Sequence, residues 1–132
     1  MVSCIVARVD AHEEIASLAK ASTVPVINAL SEAFHPLQVI ADMLTIKEAF
    51  GKTKGLRLAW VGDANNVLND LAMACAKSGI DVAIATPRSF PMDPEMLELA
   101  RAAAAESGVV IETGHEPVKA VKGAHIIVTD TW

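Results

Sequence analysis

The chain has 132 residues, the size of one average domain or of parts of two, and 52% of them are hydrophobic, which is ample for a core. Its formal net charge is -5, and its 11 Lys and Arg residues are scattered without a run, which argues against a nucleic-acid partner or an anionic membrane surface. No stretch approaches the ~18 consecutive apolar residues of a membrane span, so no membrane partner is expected.

The first third of the chain predicts two strands and two helices. Residues 3–9 are apolar and partly β-branched, which favours a strand, and residues 12–21 follow with helical spacing. A second strand is predicted at 24–30 and a long helix at 36–50. The polar, glycine-bounded run at 51–55 then predicts a domain boundary. The apolar side of the long helix is predicted to comprise Leu37, Ile40, Ala41, Leu44 and Ala49.

Beyond this boundary, short apolar runs alternate with helical ones. Alternation of this kind predicts an α/β fold built from right-handed βαβ units, with a Rossmann-like parallel sheet and flanking helices. The strands are expected to be continuous apolar runs because a parallel sheet is covered on both faces. The predicted strands are 56–61, 81–85, 109–112 and 125–128. The predicted helices are 66–77, 94–106 and 116–122, with glycine caps at Gly79, Gly108 and Gly123.

The cysteines and most histidines predict no metal site. Cys4 and Cys75 are far apart in apolar surroundings, so both are expected to be buried, reduced and unpaired. His12, His115 and His125 have no metal-ligand spacing with one another or with the cysteines.

Polar residues cluster just after the predicted strands. Open parallel sheets bind ligands at the carboxyl ends of their strands, so this rim is the candidate binding edge. The alternative interpretation is that strand ends are polar because loops are solvated and helices need caps. The rim comprises Arg8, Asp10, Asn28, Ser31, Asp63, Asn65, Asn66, Thr86, Arg88, Thr129, Asp130 and Thr131.

The start of the long helix forms one candidate site. Pro36 suits the first helical position, and His35 and Gln38 are three residues apart, so both can point the same way. Free backbone N–H groups at that end favour an anion. A histidine and an amide there can hydrogen-bond a carbonyl or a phosphoryl ester. A capping histidine beside a surface glutamine is the open alternative.

The strand and turn at 60–68 form the second candidate site. A dinucleotide fingerprint needs glycines at 64 and 67, where the chain has Ala64 and Val67, and no phosphate-binding loop of the G-x-x-x-x-G-K-[ST] type occurs. The turn offers a carboxylate and two amides, which suit a zwitterionic small molecule. Either Asn65 or Asn66 is expected to cap the following helix.

At these two sites the chain resembles the ornithine carbamoyltransferase family. The resemblance rests on residues 24–31 (VPVINALS), 35–38 (HPLQ), 59–68 (AWVGDANNVL), 85–87 (ATP) and 128–132 (VTDTW), in this order over nearly the whole chain. It implies transfer of a carbamoyl group from carbamoyl phosphate to the δ-amino group of L-ornithine, giving L-citrulline and phosphate in arginine biosynthesis. No metal or organic cofactor is implied.

The resemblance also implies roles for individual residues. Arg8 matches the arginine that contacts carbamoyl phosphate, and His35 matches the histidine that hydrogen-bonds the carbamoyl carbonyl; these two are the expected catalytic residues. Gln38 matches the neighbouring residue of the family, which contacts the carbamoyl amide. Asn66 and Asp130 match residues that hold the amino-acid end and the ammonium of ornithine.

The resemblance further implies that the chain is an internal fragment. Residues 1–50 are expected to be the C-terminal part of the carbamoyl-phosphate domain with the crossing helix, and residues 55–132 a C-terminally truncated ornithine domain. The family's Ser-x-Arg-Thr phosphate clamp is expected before residue 1 and its His-Cys-Leu-Pro segment after residue 132, so the fragment alone is expected to be inactive. The full-length protein is expected to be a homotrimer, mitochondrial in a eukaryote and otherwise cytoplasmic.

Two other functions remain as alternatives. The first is a non-catalytic Rossmann-like module that binds an amino acid or a partner without turnover, and the complete reading frame distinguishes it from the enzyme. The second is a nicotinamide-dependent oxidoreductase, which Ala64 and Val67 disfavour.

Overall fold

The computed structural model describes residues 2–130, so Thr131 of the predicted rim and Trp132 of the closing motif lie outside the described residues. Strands and helices alternate along the chain, which confirms the predicted α/β class with parallel sheets and flanking helices. The strands are β1 (Ile5–Arg8), β2 (Val26–Leu30), β3 (Arg57–Val61), β4 (Asp81–Ala85), β5 (Ile111–Gly114) and β6 (Ile126–Val128). The helices are α1 (His12–Ala21), α2 (Pro36–Phe50), α3 (Asn66–Ser78), α4 (Pro94–Ser107) and α5 (Pro117–Val121).

Two parallel sheets make up the described structure. β1 and β2 pair in parallel with α1 between them, and the register shifts between Ala7 and Arg8 at the carboxyl end. The larger sheet has the order β5-β4-β3-β6, with every neighbouring pair parallel. Because β3 and β6 are parallel neighbours, the loops that follow them lie at the same edge of the sheet, as predicted.

The main core lies on one face of the larger sheet. Leu58 and Trp60 of β3 are fully buried and pack with α3, including Leu68 and Leu71. Burying each such side chain contributes about 1.5–3 kcal/mol relative to leaving it exposed. The opposite face is lined by small residues, since Ala83 and Ala85 of β4 pack against Ala120 of α5. Burial on both faces is confined to β3 and β4, whereas the other strands are half-buried or exposed, so the predicted burial of every strand was wrong.

The boundaries of β5 and α5 differ from the prediction by one to two residues. β5 begins at Ile111 because the two preceding amides bond elsewhere: Val109 N–H donates to the Ala104 carbonyl (3.1 Å) at the end of α4, and Val110 N–H donates to Asp81 Oδ1 (2.9 Å). The predicted glycine caps at 79 and 108 are confirmed, with φ of 77° and 73° in the left-handed region that favours glycine. The predicted glycine cap at Gly123 was wrong, because Lys122 is the C-cap of α5 and Gly123 follows it.

The apolar side predicted for α2 is largely exposed. Ile40 is 65% exposed, Leu44 56% and Leu37 41%. The helix instead buries Val39 and Ile46, which join the core around β3. The prediction was wrong about the face because α2 carries apolar residues on more than one side, so periodicity alone does not select the buried one.

The cysteines divide into one exposed and one buried thiol. Cys75 on α3 is fully buried, as predicted, but Cys4 is exposed because it precedes β1 and packs under nothing in the described part of the chain.

No helix among residues 2–130 is long and apolar enough to cross a membrane. No group of three His, Cys, Asp or Glu side chains in the same range is arranged to hold a metal ion.

Candidate functional site

The loop of residues 31–35, between β2 and α2, is closed around the buried Ser31. Ser31 N–H donates to the Phe34 carbonyl (2.8 Å), and Phe34 N–H donates back to Ser31 Oγ (3.3 Å). Asn28 Nδ2 also donates to Ser31 Oγ (3.3 Å), and His12 Nδ1 lies 3.0 Å from it. A single hydroxyl thus joins α1, β2 and the loop, which gives the loop a defined shape.

One face of α3 holds the same loop from the other side. The side chains are three and four residues apart along α3, the spacing that places them on one helical face. This face connects the N-terminal sheet to the larger sheet through polar bonds as well as through apolar packing. The bonds run from Asn66 Nδ2 to the Ser31 carbonyl (2.7 Å), from Asn69 Nδ2 to the Ala33 carbonyl (3.1 Å) and from His35 N–H to Asp70 Oδ2 (2.6 Å).

His35 occupies the N-cap position of α2, but its side chain does not cap the helix. Pro36 takes the first helical position, as predicted. The Nδ1 atom of His35 is buried and has no hydrogen-bond partner among residues 2–130. Gln38 is exposed and donates from Nε2 to Asp42 Oδ1 (2.9 Å) on its own helix. The His35 side chain therefore does not cap α2, whereas Gln38 lies on the surface, as the alternative interpretation expected.

Arg8 lies at the carboxyl end of β1, close in the fold to the loop of residues 31–35. Its partner in the sheet is Leu30, the residue directly before the loop of residues 31–35. The Arg8 side chain is exposed and forms no ion pair within the described residues. The N-terminal sheet thus ends with a guanidinium and an imidazole on neighbouring chain segments.

The two asparagines after β3 have different partners. Asn65 is the N-cap of α3, where its Oδ1 accepts from the Val67 and Leu68 amides (3.1 and 3.2 Å). Asn65 Nδ2 donates to Asp130 Oδ2 (2.6 Å), which ties the loop after β3 to the loop after β6. Of the two predicted cap residues, Asn65 caps the helix, and Asn66 is the one that bonds to the loop of residues 31–35.

Asn69 and Asp70 were missed by the sequence interpretation. The signal that could have revealed them is their spacing of three and four residues from Asn66, which repeats a polar face on an otherwise apolar helix. Burial raises the pKa of the Asp70 carboxyl, and the bond from the His35 amide works against this shift.

Thr86, directly after β4, bonds to β5 and the residue that follows it and not to this cluster, and Arg88 is exposed. The buried Thr86 donates its N–H to the Gly114 carbonyl (3.1 Å) of β5, and its own carbonyl contacts His115 Nδ1 (2.8 Å). A cavity of about 450 Å³ lies on the α5 side of the sheet. It is lined by residues of β4, β5 and α5, and none of Arg8, His35, Gln38, Asn66 and Asp130 lines it.

Comparison with known proteins identifies the family. The model of the aspartate/ornithine carbamoyltransferase Asp/Orn binding domain matches residues 54–132, more than half of the chain. The chain belongs to the aspartate/ornithine carbamoyltransferase family. The model of the family's carbamoyl-P binding domain matches residues 1–48.

Relatives within this family match over the whole chain. The ornithine transcarbamylase of Pachysolen tannophilus, named as mitochondrial, is 53% identical over 100% of this chain and 38% of its own length. The crystal structure of a mitochondrial ornithine carbamoyltransferase from Coccidioides immitis is 54% identical with a TM-score of 0.92, over 100% of this chain and 44% of that one. The ornithine carbamoyltransferase of Gloeobacter violaceus is 44% identical with a TM-score of 0.97, over 99% and 46%. The chain thus spans about 40% of the length of the curated relatives it matches.

Proposed function

We propose that the full-length protein containing this chain transfers the carbamoyl group of carbamoyl phosphate to the δ-amino group of L-ornithine, a step of arginine biosynthesis. The observation that carries the proposal is the polar cluster in which the loop of residues 31–35, the start of α3 and Asp130 are joined by hydrogen bonds. Such a cluster brings together the two ends that a two-substrate reaction must align. Family membership and the names of the relatives support the same reaction.

The proposed reaction forms a bond between the δ-nitrogen and the carbamoyl carbon and breaks the bond from that carbon to the phosphate oxygen. The attacking nitrogen loses a proton, and phosphate leaves with the bonding electrons. Negative charge builds on the carbamoyl oxygen, so donors aimed at that oxygen stabilise the transition state. We assign this role to Arg8 and His35, and we assign the carbamoyl amide to Gln38.

The ornithine end of the site is assigned to the start of α3 and the loop after β6. Asn66 would hold the amino-acid end of ornithine, and Asp130 would pair with its ammonium. The bond between Asn65 and Asp130 supports this assignment because it fixes the carboxylate beside α3. Holding both substrates in place can remove several kcal/mol from a bimolecular barrier, so positioning is a large part of the proposed catalysis.

We propose that residues 1–50 complete a carbamoyl-phosphate domain and that residues 55–132 form most of an ornithine domain. The two family models divide the chain near the same point, at residues 48 and 54. The full-length protein is proposed to be a homotrimer. In a eukaryotic source we propose the mitochondrial matrix, in line with the fungal relatives named as mitochondrial, and otherwise the cytoplasm.

Steady-state kinetics of the full-length protein tests the proposed function. We expect citrulline formation from carbamoyl phosphate and ornithine, and we expect His35→Ala to lower kcat by ~10–1000-fold, the scale of a lost oxyanion donor. Asp130→Asn should mainly raise KM for ornithine, because the ammonium is charged throughout the reaction and its partner supplies nearly uniform binding. Glu98→Gln, an exposed carboxylate on α4, is the matched control and should behave like the parent.

Absence of citrulline formation by the folded full-length protein would contradict the proposal and favour a non-catalytic module. A lower kcat with an unchanged ornithine KM in Asp130→Asn would contradict only the role of Asp130. We expect the 132-residue chain alone to be inactive, because it spans about 40% of the length of its relatives.

A further inference from the structure

Asp70 supplies the hydrogen bond that a helix usually obtains from its own first turn. In a capping box, the side chain of the third helical residue reaches back to the backbone N–H of the N-cap. In α2 the N-cap is His35 and the third helical residue is Gln38, so a capping box would pair these two. Instead, Asp70 Oδ2 accepts from the His35 N–H at 2.6 Å, although 35 residues separate them. Gln38 is left free of that bond and extends to Asp42.

The bond fixes the backbone from which the imidazole projects. His35 has φ −134° and ψ 64°, outside the helical region, and it precedes Pro36, which restricts its conformation further. A bond from an amide to an ionised acceptor is shorter and about twice as strong as a neutral one. The half-buried Asp70 therefore sets the orientation of the peptide plane before His35, and with it the direction of the side chain.

The neighbouring bonds make the role of Asp70 specific to His35. Asn66 holds the Ser31 carbonyl and Asn69 holds the Ala33 carbonyl, so the first part of the loop is fixed independently of Asp70. Loss of the Asp70 carboxylate would leave those contacts in place and release the backbone at His35. The unpaired, buried Nδ1 of His35 would lose its orientation, since no side-chain bond within residues 2–130 holds it.

We propose that Asp70 is a positioning residue for His35: by taking the N-cap amide of α2 it aims the imidazole at the substrate and leaves the Gln38 side chain out of the helix cap. The inference rests on the proposed function. It also links α3, which carries Asn66, to the catalytic histidine through one rigid helical face.

Kinetics of the full-length protein tests the proposal through four variants. Asp70→Ala should lower kcat by about 10–100-fold with ornithine KM within about threefold of the parent, because misplacing a catalytic group by ~1 Å can cost about 100-fold. Asp70→Asn keeps an acceptor oxygen in the same place and should recover kcat to within about threefold of the parent. The matched control is Asp81→Ala, which removes a bond of the same type, from the Val110 amide to Asp81 Oδ1, at the start of β4 and so at the opposite end of that strand from the polar rim. It should keep the parental kcat.

The fourth variant, the double change of His35→Ala with Asp70→Ala, separates positioning from general stability. If Asp70 acts through His35, adding Asp70→Ala to His35→Ala should lower kcat no further. An additional loss of tenfold or more would overturn the proposal. So would parental kcat in Asp70→Ala, an equal loss in Asp81→Ala, or an Asp70→Asn variant as impaired as Asp70→Ala. If Asp70→Ala does not fold, Asp70→Leu, whose side chain has the branching and the number of heavy atoms of Asp but no acceptor, replaces it in every comparison.

Hydrogen–deuterium exchange gives a readout that does not depend on activity. Exchange at the His35 amide should be faster in Asp70→Ala than in the parent and nearly unchanged in Asp70→Asn and Asp81→Ala. Unchanged exchange in Asp70→Ala would overturn the assignment of the bond, even in an active enzyme. A parent that exchanges as expected but forms no citrulline would overturn the proposed function, and with it the catalytic part of the inference.

Discussion

Cys75 lies on the buried side of α3, whereas Cys4 precedes β1 and is exposed. Burial raises the pKa of the Cys75 thiol to about 12, because a thiolate there would lose its hydration, and the nearby Asp42 carboxylate adds to the effect. Only the thiolate is an effective nucleophile. The two cysteines are therefore expected to differ in reactivity for a physical reason that the folded state alone creates.

We predict that a disulfide-exchange reagent at pH 8 modifies one of the two thiols in the folded chain and both in denaturant. The thiolate fraction of Cys75 at pH 8 is roughly 1000-fold below that of an ordinary thiol, in addition to its lack of access. Absorbance of the released reagent anion measures the count. In Cys4→Ser the folded chain should release almost none, whereas in Cys75→Ala the fast phase should be unchanged. A rapid reaction of two thiols in the native chain would contradict the burial of Cys75.

Individual residues show where the sequence was sufficient and where it was not. The sequence predicted that Asn65 or Asn66 would cap α3, because both are good cap residues. The choice between them depends on where the Ser31 and Asp130 loops lie, and these partners are 35 and 65 residues away in the sequence. The bond between Asp70 and His35 escaped prediction for the same reason, since its partners belong to different helices.

At the scale of the elements, the signals that begin and end helices were the most informative. Pro36 and the Asp93–Pro94 pair mark the starts of α2 and α4, and left-handed glycines end α3 and α4, so the predicted bounds are within about one residue. These signals are local, since each is a residue type at or next to the end of its own helix. The buried face of α2 is not local information, because it depends on which neighbours pack against the helix.

We predict that Ile46→Ala destabilises the chain far more than Ile40→Ala, although both change the same residue type on the same helix. Ile46 is 5% exposed, so its truncation leaves a cavity and should lower the free energy of unfolding by about 2–5 kcal/mol. Ile40 is 65% exposed, and a surface substitution of this kind usually changes that free energy by less than about 0.5 kcal/mol. Urea unfolding followed by circular dichroism measures both. Equal losses would show that the face of α2 first inferred from periodicity is also buried.

On the scale of the whole molecule, the parallel sheet followed from the alternation of strands and helices, but the order β5-β4-β3-β6 did not. Alternation fixes the direction of strands and the hand of their connections, whereas the order depends on which side of β3 each new strand joins. The strand β6 returns to the open side of β3, which places Asp130 beside the start of α3. The pairing of β6 with β3, which are far apart in the sequence, therefore brings together the residues of the candidate ornithine end of the site.

The distribution of burial predicts that the two sheets open with different free energies. β3 has paired strands on both sides and buried residues at Leu58, Ala59 and Trp60. Within the described residues β1 and β2 pair only with each other, and none of their side chains is fully buried. A two-stranded sheet has little stability unless it packs on other elements. Amides exchange through the opening motion that has the lowest free energy. We therefore expect amides of β3 and β4 in the chain to exchange with deuterium at least about 100-fold more slowly than those of β1 and β2. Native-state exchange followed by mass spectrometry or NMR measures both sets in one sample, so each serves as the control for the other. Equal protection would mean that the polar bonds from α3 to the loop of residues 31–35 make the two sheets open as one cooperative unit.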